Sequence, residues 1–452
     1  MNDRPSSCRA PLNAGAPGRS PEGMAMRAGS TGSHIASRAG LGAARRSARV
    51  LRWHAVALLL AGSAHAADLE LLHGWTAGSE AAMVGELKAA AQRGGVDLKT
   101  TAVAGASNAN TLLKARFLSG HPPTLAQTDK PLRVWAEAVP LADLGADVNA
   151  QFAALPHAVA SELRDARQKP AAVPLNVHRL NTLWSNQRLL RAHGLAVPQD
   201  WDAFHRAAAQ LRAHGLLPLA IGSSAGQKLS LFVAVVLGRA GRDFFERALV
   251  QADPALLAGE RMRALLAEFR SLKAYTDAGQ VSRDWAGATA LLLQGRAVFQ
   301  FTGDWANGEF QKAGWTPGVD YDCTAAPGNG GLHYFEFDRL VFFAQPARLG
   351  AQQRLAGLLL QPETSTRLAR LKGGIPVRRD ADLSDFNTCA QRSAADFRAG
   401  EARGELVLAL SARQGESAYG SLRDVLSAYW ASERMTAQQA QTRLAQALRQ
   451  RD

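Results

Sequence analysis

The chain has 452 residues, of which 47% are hydrophobic and 20% are charged, a composition typical of a globular protein large enough for two cores. The net charge of +13 does not indicate nucleic-acid binding, because residues 1–66 hold nine arginines against only Asp3 and Glu22. No basic cluster with interleaved aromatic residues follows them. We therefore expect no nucleic-acid partner.

The first 66 residues have the composition of a leader. Residues 1–40 are rich in Gly, Ser, Ala, Pro and Arg without a periodic apolar pattern, which predicts an unstructured segment. The basic residues Arg45 to Arg52, the apolar run 55–61 and the sequence Ala64-His65-Ala66 then follow in the order of a secretory signal peptide. The apolar run is too short to span a bilayer, and no later stretch reaches about 20 apolar residues. We expect residues 1–66 to be a disordered leader and signal peptide, and the mature chain to be periplasmic.

Strands and helices alternate after the leader. Residues 69–75 read as a strand followed by a helix over 80–92, and residues 97–103 read as a strand followed by a helix over 108–118. A short strand follows at 124–127. This alternation predicts an α/β sheet, whose ligands bind at the carboxyl ends of parallel strands. That rule brings together the residues that follow those strands, namely Trp75, Ser79, Glu80, Gln127 and Asp129.

A long extended stretch without helical period covers residues 171–186. We interpret it as a crossing between two lobes, which would turn His178 and Arg179 toward a cleft. The alternative is a surface strand with ordinary polar side chains.

The segment 301–310 is the strongest candidate for a ligand-binding site in the sequence. A buried strand, Ala297–Phe301, leads into Gly303, which lacks the Cβ that would keep a ligand away from the backbone. Asp304 and Trp305 follow at once. A carboxylate accepts hydrogen bonds from vicinal hydroxyls and an indole offers a flat apolar face, so together they suit a sugar ring. The alternative is an N-cap aspartate followed by a core tryptophan.

Two cysteines remain after the leader with Cys8 is removed, Cys323 and Cys389. Two thiols in an exported protein usually pair. The alternative is two free buried thiols.

The leader is followed by six short motifs in a particular order within residues 68–450: 75–80 (WTAGSE), 114–116 (KAR), 173–179 (VPLNVHR), 303–306 (GDWA), 326–328 (APG) and 374–378 (GIPVR). This order resembles the family 1 solute-binding proteins of sugar ABC transporters, in particular the glucose-type branch. The resemblance implies an α/β, two-lobed type II periplasmic binding protein fold, with a hinged interlobe cleft and about three chain crossings. Cys323 and Cys389 also resemble the pair of that family.

The resemblance implies sugar contacts from Trp75, Glu80, Gln127 and Asp304, with His178 and Arg179 lining the crossing. Asp129 and Trp305 join this predicted ligand set from their positions in the sequence.

The chain also departs from the branch. It has Gly74-Trp75 where two tryptophans are usual, and no tryptophan in 223–229. Asp129-Lys130 and the pair Glu336 and Arg339 are unusual too, which favours a charged or different sugar.

The predicted division of the chain follows from the crossings: 67–175 and 299–346 in lobe 1, and 176–298 and 347–452 in lobe 2. The function expected is that of a periplasmic receptor that delivers a glucose-like monosaccharide or small sugar to the permease subunits of an ABC transporter in the inner membrane. Alternatives are the same fold acting as a ligand sensor or interaction protein for a membrane sensor, or binding a ligand other than glucose.

Enzyme motifs are missing from the sequence. It contains no H-E-x-x-H or C-x-x-C motif, and its eleven histidines show no recurrent metal-ligand spacing. We therefore expect a monomeric binding protein without catalytic activity, cofactor or metal.

The order of basic, apolar and small residues predicts that export removes residues 1–66. Mass spectrometry of the exported protein should find a mature amino terminus at or near Ala67. A mature chain that retains Arg52 would contradict this prediction.

Overall fold

The computed structural model describes residues 69–450. The predicted leader and signal peptide lie outside the described residues. Within the described range, no helix combines the length and the apolar character required to cross a bilayer.

Eleven strands are present in residues 69–450 and form two sheets. They are β1 Leu69–His73, β2 Leu98–Ala102, β3 Leu125–Gln127, β4 Ala172–Arg179, β5 Thr182–Asn186, β6 Leu217–Ala220, β7 Ala297–Phe301, β8 Tyr321–Ala325, β9 Tyr334–Phe342, β10 Ile375–Pro376 and β11 Val407–Leu408. The larger sheet has the order β10-β4-β9-β3-β1-β2, with β11 paired to β9, and the smaller has the order β6-β7-β5-β8.

Both sheets mix parallel and antiparallel pairs. Strand β1 runs parallel to β2 and β3, as the alternating pattern predicts, whereas β9 runs antiparallel to β3 and β4. All eight residues of β4 are buried, because this strand lies inside the sheet and is covered on both faces.

Helices cover both sheets. They are α1 Gly78–Arg93, α2 Ala106–Leu118, α3 Leu132–Ala138, α4 Gly145–Gln151, α5 His157–Ala160, α6 Gln187–Ala192, α7 Trp201–Ala213, α8 Ala225–Phe245, α9 Pro254–Ala258, α10 Glu260–Ser271, α11 Trp285–Leu293, α12 Ala306–Lys312, α13 Leu349–Leu359, α14 Pro362–Lys372, α15 Thr388–Arg403, α16 Leu410–Arg413, α17 Glu416–Ala431 and α18 Ala437–Ala447. Short 3-10 turns occur at Phe152–Ala154, Ser161–Leu163, Leu272–Tyr275, Ala278–Val281 and Pro346–Arg348, and a π turn at Glu246–Val250.

Helix α7 shows how local sequence sets these elements. Asp200 caps it by accepting a hydrogen bond from the Ala203 amide at 2.7 Å. Its buried residues include Trp201, Phe204 and Leu211, which recur at helical spacing and face the core of the smaller sheet. Helix α8, in contrast, is broken at Gly241, whose φ of 80° is readily adopted only by glycine.

Each sheet has its own core, which divides residues 69–450 into two lobes. The first lobe is the larger sheet with the helices that share its core, and the second lobe is the smaller sheet with its helices. The chain crosses between them three times, at 180–181, at 326–333 and at residue 409. The predicted crossing at 171–186 is therefore present as β4, two linking residues and β5.

The three crossings touch one another. The side chain of Asn181 donates to Asn329 at 3.1 Å and to the Leu332 carbonyl oxygen at 3.2 Å. The Ala409 amide donates to the Phe335 carbonyl oxygen at 2.8 Å. The lobes are thus joined along one compact seam.

Two segments of the predicted lobe division disagree with the sheets. Strand β8 and the last three residues of β7 fall in the segment 299–346 assigned to lobe 1, but both strands pair with β5 in the second lobe. Helices α13 to α15, inside the segment 347–452 assigned to lobe 2, pack on the core of the first lobe. The reason is that apolar alternation identifies a strand but not the partner with which it pairs.

Cys323 and Cys389 form a disulfide with a Cα–Cα distance of 5.8 Å, which confirms the predicted pair. Cys323 lies on β8 in the second lobe. Cys389 begins α15, whose Ala390, Ala394 and Phe397 pack in the core of the first lobe. The bond therefore links the two lobes.

Removing this bond should lower the free energy of unfolding. The disulfide closes a loop of 66 residues, so the chain-entropy relation gives a loss of roughly 4 kcal/mol for the double variant Cys323→Ser, Cys389→Ser. Urea unfolding of the mature protein and the variant measures the difference. Thiol labelling of the denatured, unreduced mature protein is the control, and two reactive thiols would contradict the bond.

Candidate functional site

A cavity of about 610 Å³ lies between the lobes. It opens where β1, β3 and β4 end, so the loops after β1 and β3 and the last residues of β4 form its first-lobe wall. The second-lobe wall comes from the loop before α8, the start of α11 and the turn after β7. This position is the ligand-binding edge that the strand order predicts.

Glu80 lies in this wall and makes a buried ion pair. Its carboxylate accepts hydrogen bonds from the Thr76 and Ala77 amides at 2.8 and 2.9 Å, and from Lys372 Nζ at 2.7 Å. Burial opposes ionisation, but the Lys372 ammonium outweighs it and lowers the pKa of Glu80. The same pair raises the pKa of Lys372 despite burial. Glu80 thus fixes the loop after β1 and holds a cation at the cavity.

Trp75 and Gln127 also line the cavity. The Trp75 ring stacks on His73, with centroids 5.6 Å apart, and lies 5.7 Å from Lys372 Nζ. Gln127 is only 6% exposed, and its Oε1 accepts a hydrogen bond from the Gly74 amide at 2.8 Å. Its Nε2 has no partner among residues 69–450, which leaves two donor hydrogens for a ligand.

Gly74 stands where the glucose-type branch usually has a tryptophan, and the surrounding backbone explains why a glycine is needed there. A Cβ at Gly74 would lie 2.8 Å from the backbone of Gly105 and Ala106. No side chain fits there without moving the loop before α2.

His178 lies between two carboxylates from different lobes. Its Nδ1 is 2.5 Å from Asp304 Oδ1 and its Nε2 is 3.0 Å from Asp338 Oδ2. Burial disfavours the imidazolium, but the two carboxylates outweigh this and raise the pKa of His178 to about 9. Although burial opposes ionisation of Asp338, Lys372 and His178 lower its pKa to about 2. His178 is therefore a cation at neutral pH, with an anion on either side.

Asp304 and Arg179 do not face the large cavity. The second carboxylate oxygen of Asp304 accepts a hydrogen bond from the Arg179 amide at 2.9 Å, so both of its oxygens are used within the protein. The guanidinium of Arg179 points to Asp396, 2.6 Å away, and to the Leu332 carbonyl oxygen. Asp304 is not an N-cap either, because α12 begins after Trp305 without a side-chain cap.

Trp305 does line the cavity, together with Trp285. The Trp305 ring packs edge-on to His178 at 5.4 Å and to Trp285 at 6.2 Å. Both indoles are half-buried. Each therefore keeps apolar surface available inside a polar cavity, which is the surface a sugar ring uses.

Glu336 is an acid without a partner in the described part of the chain. Its carboxylate lines the cavity, is half-buried and makes no hydrogen bond or ion pair there. Burial, with Asp129 and Asp338 nearby, raises the pKa of Glu336 to about 7, and His178 and Arg339 limit the rise. Asp129 lines the same region, and its Oδ1 accepts a hydrogen bond from Asn110 at 2.5 Å.

Six of the eight predicted ligand residues thus meet at one cavity, and two do not. Those that meet are Trp75, Glu80, Gln127, Asp129, His178 and Trp305, and the other two are Arg179 and Asp304. Direct contact of any of them with a ligand stays a prediction.

Sequence reasoning missed Lys372 and Trp285 as lining residues and did not include Glu336 or Asp338 in the ligand set. Two signals were available. Asp284-Trp285 repeats the Asp-Trp pair of the segment 301–310, and Lys372 precedes a glycine pair that ends α14.

A second cavity of about 20 Å³ lies beside the disulfide and is lined by Arg179 and Asp304. It has room for a water molecule but not for a sugar. Asp322, Cys323 and Cys389 are also close enough together here to suggest a metal site, but both sulfur atoms are already joined in the disulfide.

Comparisons with known proteins place this geometry in a family. The family described as bacterial extracellular solute-binding protein matches residues 76–334. A probable sugar-binding periplasmic protein of Mesorhizobium japonicum is 32% identical over 405 residues, covering 87% of this chain and 97% of the relative. A protein with the same description from Brucella melitensis is 32% identical over 366 residues, covering 78% and 86%.

Solved structures share the fold. The bacterial solute receptor AcbH, described as having an exclusive preference for β-D-galactopyranose, superimposes with a TM-score of 0.71 at 16% identity, covering 84% of this chain and 97% of that one. Maltose-bound MalE3 of T. maritima has a TM-score of 0.67 at 14% identity, with 84% and 98% covered. These likenesses show that the chain has the two-lobed α/β type II fold.

The charge of His178 should make stability depend on pH. Its folded pKa of about 9 exceeds the ordinary 6.5, so its stabilising contribution is complete below pH 6.5 and is lost as pH rises through 9. The full loss corresponds to about 3 kcal/mol. Urea unfolding between pH 6 and 10 should show the difference between the native protein and His178→Gln shrinking as pH rises.

The control for this experiment is His157→Gln, because His157 is exposed on α5. Titration of Glu336 near this pH range changes the free energy of unfolding of the native protein and of both variants. The differences between them therefore report on the histidines alone. A constant difference between the native protein and His178→Gln would mean that His178 is neutral in the folded state.

Proposed function

Because the chain belongs to the family of bacterial extracellular solute-binding proteins, we propose that it is a periplasmic receptor that closes its two lobes on a glucose-like monosaccharide or another small sugar. It delivers the sugar to the permease subunits of an ABC transporter. The description of the relatives as sugar-binding periplasmic proteins supports the ligand class and the compartment.

The observation that carries this proposal is the composition of the cavity between the lobes. Its volume of about 610 Å³ lies within the usual range for small-molecule sites. It combines indole faces from the second lobe, Trp285 and Trp305, with the unpartnered amide nitrogen of Gln127 from the first lobe. A sugar needs both kinds of contact, since its ring has apolar faces and its hydroxyls lie at the edge.

Both lobes must contribute for binding to favour closure. A ligand shifts the equilibrium between open and closed forms only by its difference in affinity for them. With Gln127 and Trp75 on one lobe and Trp285 and Trp305 on the other, a sugar makes its full set of contacts only in the closed form.

The test is a thermal-shift screen of the mature protein, residues 67–452, against mono- and disaccharides, followed by calorimetric titration. A binding sugar raises the unfolding midpoint because it stabilises the folded state alone. If no sugar raises the midpoint or gives a heat of binding, the proposed function is wrong.

Replacing a ring that faces the cavity should weaken sugar binding. Trp305→Leu removes one indole face, and we expect roughly a tenfold loss of affinity for the best sugar of the screen, which is about 1.4 kcal/mol. Calorimetric titration of the variant measures this loss.

Trp315→Leu is the matched control. Trp315 is a half-buried tryptophan of the same lobe, packs on Phe310 and does not line the cavity. Equal losses of affinity in the two variants would remove Trp305 from the binding surface.

A further inference from the structure

Two acids of the cavity take part in none of its ion pairs. Lys372 donates to Glu80, and His178 lies between Asp304 and Asp338. These contacts use two of the cations that line the cavity. Glu336 and Asp129 have no cation within ion-pair distance among residues 69–450, although both line the cavity.

We propose that the sugar bound here carries a basic nitrogen, as an amino sugar or amino cyclitol does, and that its ammonium pairs with Glu336 beside Asp129. This inference rests on the proposed function, because it assigns the ligand class of the same cavity. The pairing would satisfy a carboxylate that otherwise has no partner in the described chain.

The direction of the side chains supports Glu336 as the contact. Successive residues of a strand point to opposite faces, so Glu336 and Asp338 share one face of β9. His178 pairs directly with Glu336 across the two strands and bonds to Asp338, which places all three on the face that borders the cavity. An ammonium at Glu336 would therefore meet acids on the same face.

Buried polar groups in both walls of the cavity are available to a ligand. Gln127 is 6% exposed and directs an unpartnered amide nitrogen there, and the hydroxyl of Thr302 is buried without a partner within residues 69–450. These groups suit sugar hydroxyls, so the acids are not the only evidence for a site.

Arg339 is the strongest argument for an anionic ligand instead, because its buried guanidinium makes no hydrogen bond within residues 69–450. It lies on the opposite face of β9 from Glu336, stacked on Phe337 at 4.3 Å. Its Nε and Nη1 have no accessible surface, so a ligand cannot reach them. Glu162, Asp129, Glu336 and Asp338 also act on it at longer range. Arg339 also borders the cavity, but with Nε and Nη1 closed off inside the protein an anion could not make a two-point contact with its guanidinium.

The pKa of Glu336 depends on the charged and titratable groups around its carboxylate. Charged or titratable groups face it from five elements, namely His178 on β4, Tyr334, Asp338 and Arg339 on β9, Asp129 after β3, Lys372 on α14 and Tyr419 on α17. Burial and the nearby acids raise the pKa of Glu336 to about 7, so it is largely protonated at pH 6. Binding of an ammonium must then expel that proton.

The first measurement is affinity at pH 7. D-glucosamine, D-galactosamine and D-mannosamine are titrated beside their parent hexoses and N-acetyl derivatives. We expect at least one amine to bind about ten- to a hundred-fold more tightly than its parent hexose, since charge-assisted hydrogen bonds are stronger than neutral ones. The N-acetyl derivative should lose this preference.

The second measurement is the number of protons exchanged on binding at pH 6, from calorimetry in buffers of different ionisation enthalpy. Release of about one proton with the amine, and none with Glu336→Gln, is expected. Proton uptake would indicate an anionic ligand, and release of the same number of protons by Glu336→Gln would show that the released proton does not come from Glu336. Either result overturns the inference.

Variants of Glu336 and Asp129 test which side chain pairs with the ammonium. Glu336→Gln should abolish the preference for the amine over its parent hexose, and Asp129→Asn should reduce that preference. Glu363→Gln is the control, because Glu363 is exposed on α14 away from the cavity. If Glu336→Gln does not fold, Asp129→Asn gives the same test.

Failure of this inference differs from failure of the proposed function. Neutral hexoses that bind as tightly as every amine would overturn the inference and leave a sugar receptor. An absence of binding by any sugar would overturn the proposed function, and this inference with it.

Discussion

The placement of His178 between Asp304 and Asp338 is the contact on which the arrangement of the lobes depends most. One carboxylate comes from the second lobe and the other from the first, and the imidazole lies at the end of the strand that leads into the crossing. Taking a charge out of water is costly unless it is paired and hydrogen-bonded. Here both ring nitrogens have an acceptor, so the buried charge holds Asp304, Asp338 and the end of β4 in one geometry. Trp305 follows Asp304 directly, and its position in the cavity is fixed by the same contact.

Much of the fold could be predicted from the sequence. Helices and strands with clear periodicity were found within about two residues, as at α1, α2 and β2, because burial of an apolar face requires that period. The crossing at 171–186 was also recognised, from the absence of a helical period. The assignment of β7 and β8 to a lobe was wrong because pairing between distant strands leaves no local signal. Whether β7 joins β5 or β9 depends on side-chain packing that only the folded chain brings together.

The candidate site was predicted less completely, and the reason lies in how polar side chains are used. Asp304 and Trp305 stand next to each other in the sequence, but the carboxylate is consumed by His178 and the Arg179 amide while the indole reaches the cavity. A sequence motif shows which groups are present and not which of them already have partners. Lys372 was missed for the same reason, since its importance comes from Glu80, 292 residues away in the chain. The unusual pair Glu336 and Arg339 was noticed in the sequence, but only the structure shows that the Glu336 carboxylate has no partner there while the Arg339 guanidinium is stacked on Phe337.

The disulfide between β8 and α15 has a mechanical consequence. It lies beside the crossing between β4 and β5, since the same small cavity touches Arg179, Thr182 and both cysteines. With the three chain crossings it makes a fourth covalent attachment between the lobes, and all four lie near the same seam. Two rigid bodies attached at one point can twist and tilt about it in every direction, whereas bodies attached at several points along a line can only rotate about that line. We therefore expect the lobes to open by a hinge rotation about the seam, with little sliding or twisting of one lobe against the other. Rotation about the seam widens the cavity most at the edge farthest from it, and each closure returns the two walls of the cavity to the same register.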